Sequence, residues 1–168
     1  MFIDANHTEQ MREMILRAFP SQTYEGTITT DDDALDDPDL DDHKYVYEEL
    51  KGKQWPDLSH DFLDSSPDGF VLLTEGALRA YLAAWLMRAL DESDGGEHVR
   101  DYIVYAFSPT GDMVPDLTAF RVGRIRGLTP DQRVVLRSLL VRVAESDPSE
   151  FQKTLARGAV ELIDAHAG

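Results

Sequence analysis

Eight aspartates fall within the twelve positions from Asp31 to Asp42, the densest set of ligand-capable groups in the chain. Carboxylate oxygens at this density suit hard divalent cations, and they equally suit a cationic protein surface. Read from Asp31 as a twelve-residue calcium loop, the run puts Asp36 where the sharp turn needs glycine and Asp42 where a bidentate glutamate is usual. The motif is therefore broken twice. The stronger reading makes Asp31, Asp32, Asp33, Asp36, Asp37, Asp39, Asp41 and Asp42, with Tyr45 and Trp55 close by, the contact residues for a basic protein partner. Trp55 has a competing role, in which it pins the acidic loop to the core.

No other spacing supplies chemistry. The chain has no cysteine, which removes disulfides, zinc thiolates and thiol nucleophiles. It contains no H-E-x-x-H, G-x-S-x-G, G-x-x-x-x-G-K or G-x-G-x-x-G pattern. His60-Asp61 together with His43 invites comparison with metal phosphohydrolases, which hold a divalent ion between scattered histidines and a His-Asp pair; an adjacent His-Asp is common in an acidic chain. His7, His98 and His166 stand at no spacing that joins them to a nucleophile. No catalytic residue and no cofactor is expected. Six arginines, Arg121, Arg124, Arg126, Arg133, Arg137 and Arg142, share their stretch with the single acid Asp131. They either form a guanidinium site for a carboxylate or phosphate, or, as the acid surplus favours, pair with the domain's own carboxylates.

These groups must be carried by a small fold. At 168 residues, 42% hydrophobic, the chain is long enough for one domain with a real core. The formal net charge is −16, and residues 1 to 64 carry 17 acids against 5 bases. Such a charge repels phosphate backbones and anionic lipid, so neither nucleic acid nor membrane is an expected partner. The opening residues lack a basic and apolar leader, and no run of eighteen apolar residues occurs. With the missing cysteines, this reads as a cytoplasmic protein. Oligomeric state leaves no trace in the sequence.

Helix signals dominate. Asn6 with Glu9 suggests a capping box ahead of Met11, Met14, Ile15, Ala18 and Phe19, with Pro20 ending the helix. The segment SQTYEGTITT is turn-like, and Asp31 to Asp42 reads as a loop opened by mutual repulsion and Pro38. Helix resumes near His43 and stops at Gly52. An irregular stretch from Trp55-Pro56 to about Gly69 follows, anchored by Phe62 and Leu63, with an extended entry at Leu72 and Leu73. Thr74 caps a helix carrying Leu78, Tyr81, Leu82, Trp85, Leu86 and Leu90, which Asp94-Gly95-Gly96 would stop. Val99 to Phe107 reads as another helix, leaving a strand from Tyr102 to Phe107 as the alternative. After the turn SPTGDMVP, a short helix holds Leu117, Phe120 and Val122. Thr129, Pro130 and Gln132 mark a capped start ahead of Leu136, Leu139, Leu140 and Val143. Asp147-Pro148 opens a final helix presenting Phe151, Leu155, Ala159, Leu162 and His166.

Several phrases taken in order carry a resemblance: Ala18-Phe19-Pro20, Tyr24-x-Gly26, Leu50-Lys51-Gly52-Lys53-Gln54-Trp55, Leu73-Thr74 before Arg79-x-Tyr81-Leu82, and Leu128-Thr129-Pro130-Asp131-Gln132. Over residues 9 to 145 the chain resembles a bacterial family of uncharacterised small, mainly helical proteins. Glu25 replaces the proline of that family's turn, and Glu75 replaces a proline at a helix start. The resemblance implies an architecture and brings no activity, cofactor or site residue.

The expectation is a mainly α single domain, residues 1 to 168, of about six helices with room for one short strand element, an acidic loop at 31 to 42 and a C-terminal helix at 148 to 165. Its leading function is that of a non-enzymatic acidic binding protein docking a basic partner, immunity or antitoxin-like. A divalent-metal enzyme or sensor using the Asp-rich loop, and a structural module of a larger assembly, are the alternatives.

Overall fold

The computed structural model describes residues 4–109 and 115–168, without the side chains of Asp32, Pro115 and Asp116. Among them the chain forms eight α-helices and no strand. In order these are α1 (Ala5–Ala18), α2 (Asp41–Leu50), α3 (His60–Ser65), α4 (Glu75–Ala89), α5 (Asp94–Phe107), α6 (Pro115–Gly127), α7 (Pro130–Ser146) and α8 (Glu150–His166), with 3₁₀ turns at Asp32–Asp36, Pro38–Leu40, Trp55–Asp57 and Gly69–Leu72.

The hub is α4. Its sequence is apolar all round, as a helix enclosed by others must be, and Ala77, Ala80, Ala83, Ala84 and Ala89 let neighbours approach closely while Leu78, Tyr81, Leu82, Trp85 and Leu86 fill the gaps. Around it lie α1, α3, α5 and α6, and α7 pairs with α8 as a hairpin that closes over α1, α5 and α6. The core centres on Trp85, whose ring meets Phe62 and Phe70 edge-on at 5.8 and 5.9 Å, while Phe70 stacks on Phe107 at 6.1 Å. Its buried indole N–H donates to the Ser66 carbonyl at 3.0 Å.

Local signals set most helix starts. Thr74 accepts from the Ala77 amide, and Thr129 with Gln132 forms the full reciprocal capping box. Gly52, at φ 74°, takes the chain through the left-handed region just after α2.

Five readings need correction. The first helix is capped by Asp4, which accepts from the His7 amide, so Asn6 already lies inside it. The stretch between Trp55 and Gly69 contains α3, capped by Ser59. Asp94-Gly95-Gly96 begins α5 under the Ser93 cap; Gly96 is needed because a Cβ there would sit 2.2 Å from the Asp91 carbonyl oxygen. Leu72 closes a 3₁₀ turn where extended chain was expected, whereas Tyr102 to Phe107 is helix, as its leading reading has it. In α8 the cap is Ser149 and the buried face is Ala156, Ala159 and Ile163, leaving Phe151 69% exposed. The predicted turn between α5 and α6 falls largely on 110–114, outside the described residues.

Candidate functional site

The acidic segment is folded, which corrects its reading as a loop. The Ala34 amide donates to the Asp31 carbonyl at 2.9 Å and the Asp37 amide to the Ala34 carbonyl at 3.1 Å, forming the first turn. Asp37 then caps the second by accepting from the Asp39 amide at 2.9 Å, with Pro38 in the first position, where its missing N–H costs nothing. That turn runs into α2, whose first turn contains Asp41 and Asp42, where carboxylates complement the helix dipole. Leu35 is buried and Leu40 half-buried, so the apolar residues between the acids hold the segment down.

The outcome is a hydrogen-bonded presentation of charge. Asp31, Asp33, Asp36, Asp37, Asp39, Asp41 and Asp42 are all exposed. Among the described residues no lysine, arginine or histidine nitrogen lies within 4.0 Å of any of these seven carboxylates.

The two aromatic candidates separate. Tyr45, one helical turn after Asp41, is 42% exposed; its ring meets Phe62 edge-on and its hydroxyl lies 3.2 Å from Ser65 Oγ. It shares the acidic surface. Trp55 is 5% exposed, and its indole N–H donates to the Phe19 carbonyl at 2.8 Å. It serves as a strut between α1 and the 55–57 turn, so it offers no surface to a partner.

A groove of about 560 Å³ borders the segment, with Tyr24, Glu25, Asp31, Tyr47 and Lys51 in its walls. Lys51 Nζ lies 5.3 Å from the centroid of the Tyr47 ring, so one ammonium already rests on an aromatic face there. Tyr47 joins Tyr45 as an aromatic neighbour of the acidic segment, whereas sequence reasoning met Tyr24 only within the turn-like Tyr24-x-Gly26 phrase and passed over it. Tyr24 is in fact wedged between Gly26 and Gly76, where a Cβ would approach its hydroxyl to 2.4 Å.

Metal geometry is not assembled: among the described residues no three His, Asp or Glu side chains converge on one point. His60 is exposed beside Arg88, its Nδ1 3.3 Å from the guanidinium, while the Nδ1 of His43 is buried without a partner among the described residues. His7 shares a short contact of 2.5 Å with Asp4, and His166 meets Arg126 at 3.2 Å.

The arginine cluster behaves differently from its reading as a set of carboxylate partners. Arg137 clasps Asp164 with two bonds of 2.6 and 2.9 Å, which holds that carboxyl below its ordinary range, and Arg142 reaches Glu145 at 3.8 Å. Arg121, Arg124 and Arg133 seek backbone instead. Arg133 donates to the Leu128 carbonyl at 2.7 Å, covering the end of α6. Arg124 donates to the carbonyls of Phe70 and Leu73, at 3.1 and 2.7 Å, and also to that of Val71. Burial pulls its pKa down to about 10, so it remains a cation at neutral pH. Arg121 is 4% exposed and donates to the Ser108 carbonyl.

No family model matches the chain, and no curated protein and no solved structure matches it. The phrases that resemble the uncharacterised bacterial family have local roles here: Leu50 to Trp55 is a helix end and its left-handed turn, and Leu128 to Gln132 is a capped helix start. No described helix is long and apolar enough to cross a membrane.

Proposed function

We propose that this is a non-enzymatic binding protein whose acidic segment, residues 31 to 42 with Tyr45 beside it, docks a basic protein, as an immunity or antitoxin-like protein neutralises a cationic effector. One observation carries the reading: seven exposed aspartates are fixed on hydrogen-bonded turns with no internal cation within 4.0 Å among the described residues. Charges held in this way repel one another, a partner's cations relieve that repulsion, and the turns order the carboxylates before the encounter, which lowers its entropic cost. The overall charge of −16 adds long-range attraction for a basic surface. The neighbouring groove, with tyrosine and carboxylate walls, suits a lysine or arginine side chain. On this reading, Trp55 contributes only by holding the scaffold.

The test is affinity capture from cytoplasmic extract, comparing the wild-type chain with a variant carrying Asn at Asp33, Asp36, Asp39 and Asp42. A basic protein retained by the wild type at low salt, released at high salt and missed by the variant is the expected result. Equal capture by both chains would remove the acidic segment from the interaction.

A further inference from the structure

A second cavity, of about 360 Å³, opens where α5, α6 and the Gly69–Leu72 turn meet, and its walls are mostly apolar: Phe70, Tyr102, Tyr105, Leu117 and Phe120. Its polar content is unusual for this chain. Arg121 and Arg124, one turn apart on α6, both line it, and among the described residues neither has a carboxylate within 4.0 Å. With 32 acids to 16 bases, carboxylates were not in short supply. Both guanidiniums lie against aromatic faces instead, Arg121 5.0 Å from the Tyr105 centroid and Arg124 4.6 Å from that of Phe120.

Arg121 is the more telling of the two. It is 4% exposed, yet of the five N–H groups a guanidinium carries, only one has an acceptor among the described residues, the Ser108 carbonyl. Arg124 spends its terminal nitrogens on three carbonyls and leaves its buried Nε without an acceptor among the described residues. Enclosed cations with unspent donors, in an apolar cavity whose volume suits a small molecule, are the usual setting for recognition of an organic acid.

We propose that this cavity binds a small monocarboxylate with an apolar body, its carboxylate on the unspent N–H groups of Arg121 and its body against Phe70, Tyr102, Leu117 and Phe120. Asp68 lines the same cavity and repels a second negative charge, which sets the preference for a monoanion over a dicarboxylate or a phosphate ester. The site is independent of the acidic segment.

The experiment is heteronuclear NMR titration of the full chain with octanoate and phenylbutyrate, each beside its uncharged primary amide. The expected result is that an acid shifts the backbone amides of Tyr102, Phe120 and Arg121 and binds at least about tenfold more tightly than its amide. Ala106→Trp, which fills the cavity from α5, should abolish binding of both. Arg121→Met should bring the acid down to the level of its amide. Should that variant fail to fold, the ratio of acid to amide and the location of the shifts in the wild-type chain still decide. No shift at these residues with millimolar acid, or equal affinities for acid and amide, would overturn the proposal.

Discussion

Arg88 grips Asp64 with two parallel bonds, Nε to Oδ1 and Nη2 to Oδ2, both 2.8 Å, and α5 passes so close that a Cβ on Gly95 would lie 2.5 Å from the carboxylate and 2.6 Å from the guanidinium. The same arginine donates to Asp91 at 2.8 Å. One guanidinium therefore ties α3 to α4 and to the entry of α5. Because its side chain is 10% exposed, the pair is better shielded than the other ion pairs of the surface.

Removing that carboxylate should be measurable. Asp64→Asn is expected to cost about 1 kcal/mol in urea unfolding, a figure set by bidentate geometry and discounted because Asp64 is itself 36% exposed. The Arg88 hydrogen bond holds the Asp64 pKa below its ordinary 3.8, so the contribution is present above that value and disappears as pH falls through the folded pKa. Stability of the wild type and of the variant should thus converge at the acid end of a pH series. A constant gap would locate the effect elsewhere.

Gln132 does more than cap. Its Oε1 accepts from the Thr129 amide at 3.2 Å, while Nε2 donates to the carbonyls of Ala18 at 3.3 Å and Arg79 at 3.2 Å, so one buried carboxamide joins the ends of α1 and α7 to the middle of α4. Thr129→Ala removes a cap and should cost about 1 kcal/mol. Gln132→Ala also strands the Ala18 carbonyl at the end of α1, while the Arg79 carbonyl keeps its own helical donor, and should cost about 2 kcal/mol. Chemical denaturation of the two variants gives the comparison, and equal losses would reduce Gln132 to a capping residue.

The contrast between those two roles explains what the sequence could and could not reveal. Thr74, Thr129 and Gln132 were legible as caps because a cap is a contract between residues three apart. The bulky core residues of α4 were legible for a similar reason, since they recur at helical spacing, although the helix proves to be buried on more than the one face that spacing suggests. Arg124 and Arg133 were misread because their acceptors are carbonyls, which every residue owns and no residue type announces. Gly95-Gly96 was misread because glycine ends helices by conformation but enters them by lack of bulk, and only the packing distinguishes the two. In the acidic segment repulsion was visible, whereas the balancing contacts, Leu35 in the interior and Asp37 as a cap, were outvoted by composition. Trp55 was offered both roles, and the Phe19 carbonyl, 36 residues away, selects the internal one.

Asp101 gives a stability effect of opposite sign. Burial raises its pKa, and the charge of Asp147 raises it further. The folded state then holds a proton that the unfolded state has released, so stability falls as pH rises from the ordinary 3.8 through the raised value. Asp101→Asn is therefore expected to raise the melting temperature at neutral pH, with the gain shrinking toward the acid end. Thermal scans across that range check it. A variant less stable than the wild type at neutral pH would mean that the carboxylate makes a contact worth more than its desolvation.

Stability and binding should come apart at the acidic segment. Trp55→Phe gives up the N–H bond to Phe19 and should cost about 1 kcal/mol of stability, with affinity for a basic partner unchanged. Asp33→Asn and Asp36→Asn remove charges that have no cation within 4.0 Å among the described residues, so relief of repulsion should leave the melting temperature level or raise it. The same two changes should each weaken binding about two- to fivefold, mainly by slowing association and flattening its dependence on salt. Tyr45→Ala should weaken it without touching that dependence, because its contribution is contact area. Association kinetics at two ionic strengths, run beside melting curves, resolve the four variants. If Trp55→Phe and the aspartate variants lost affinity together and in proportion to stability, the acidic segment would be acting through the fold, and the docking surface would have to be sought on another face.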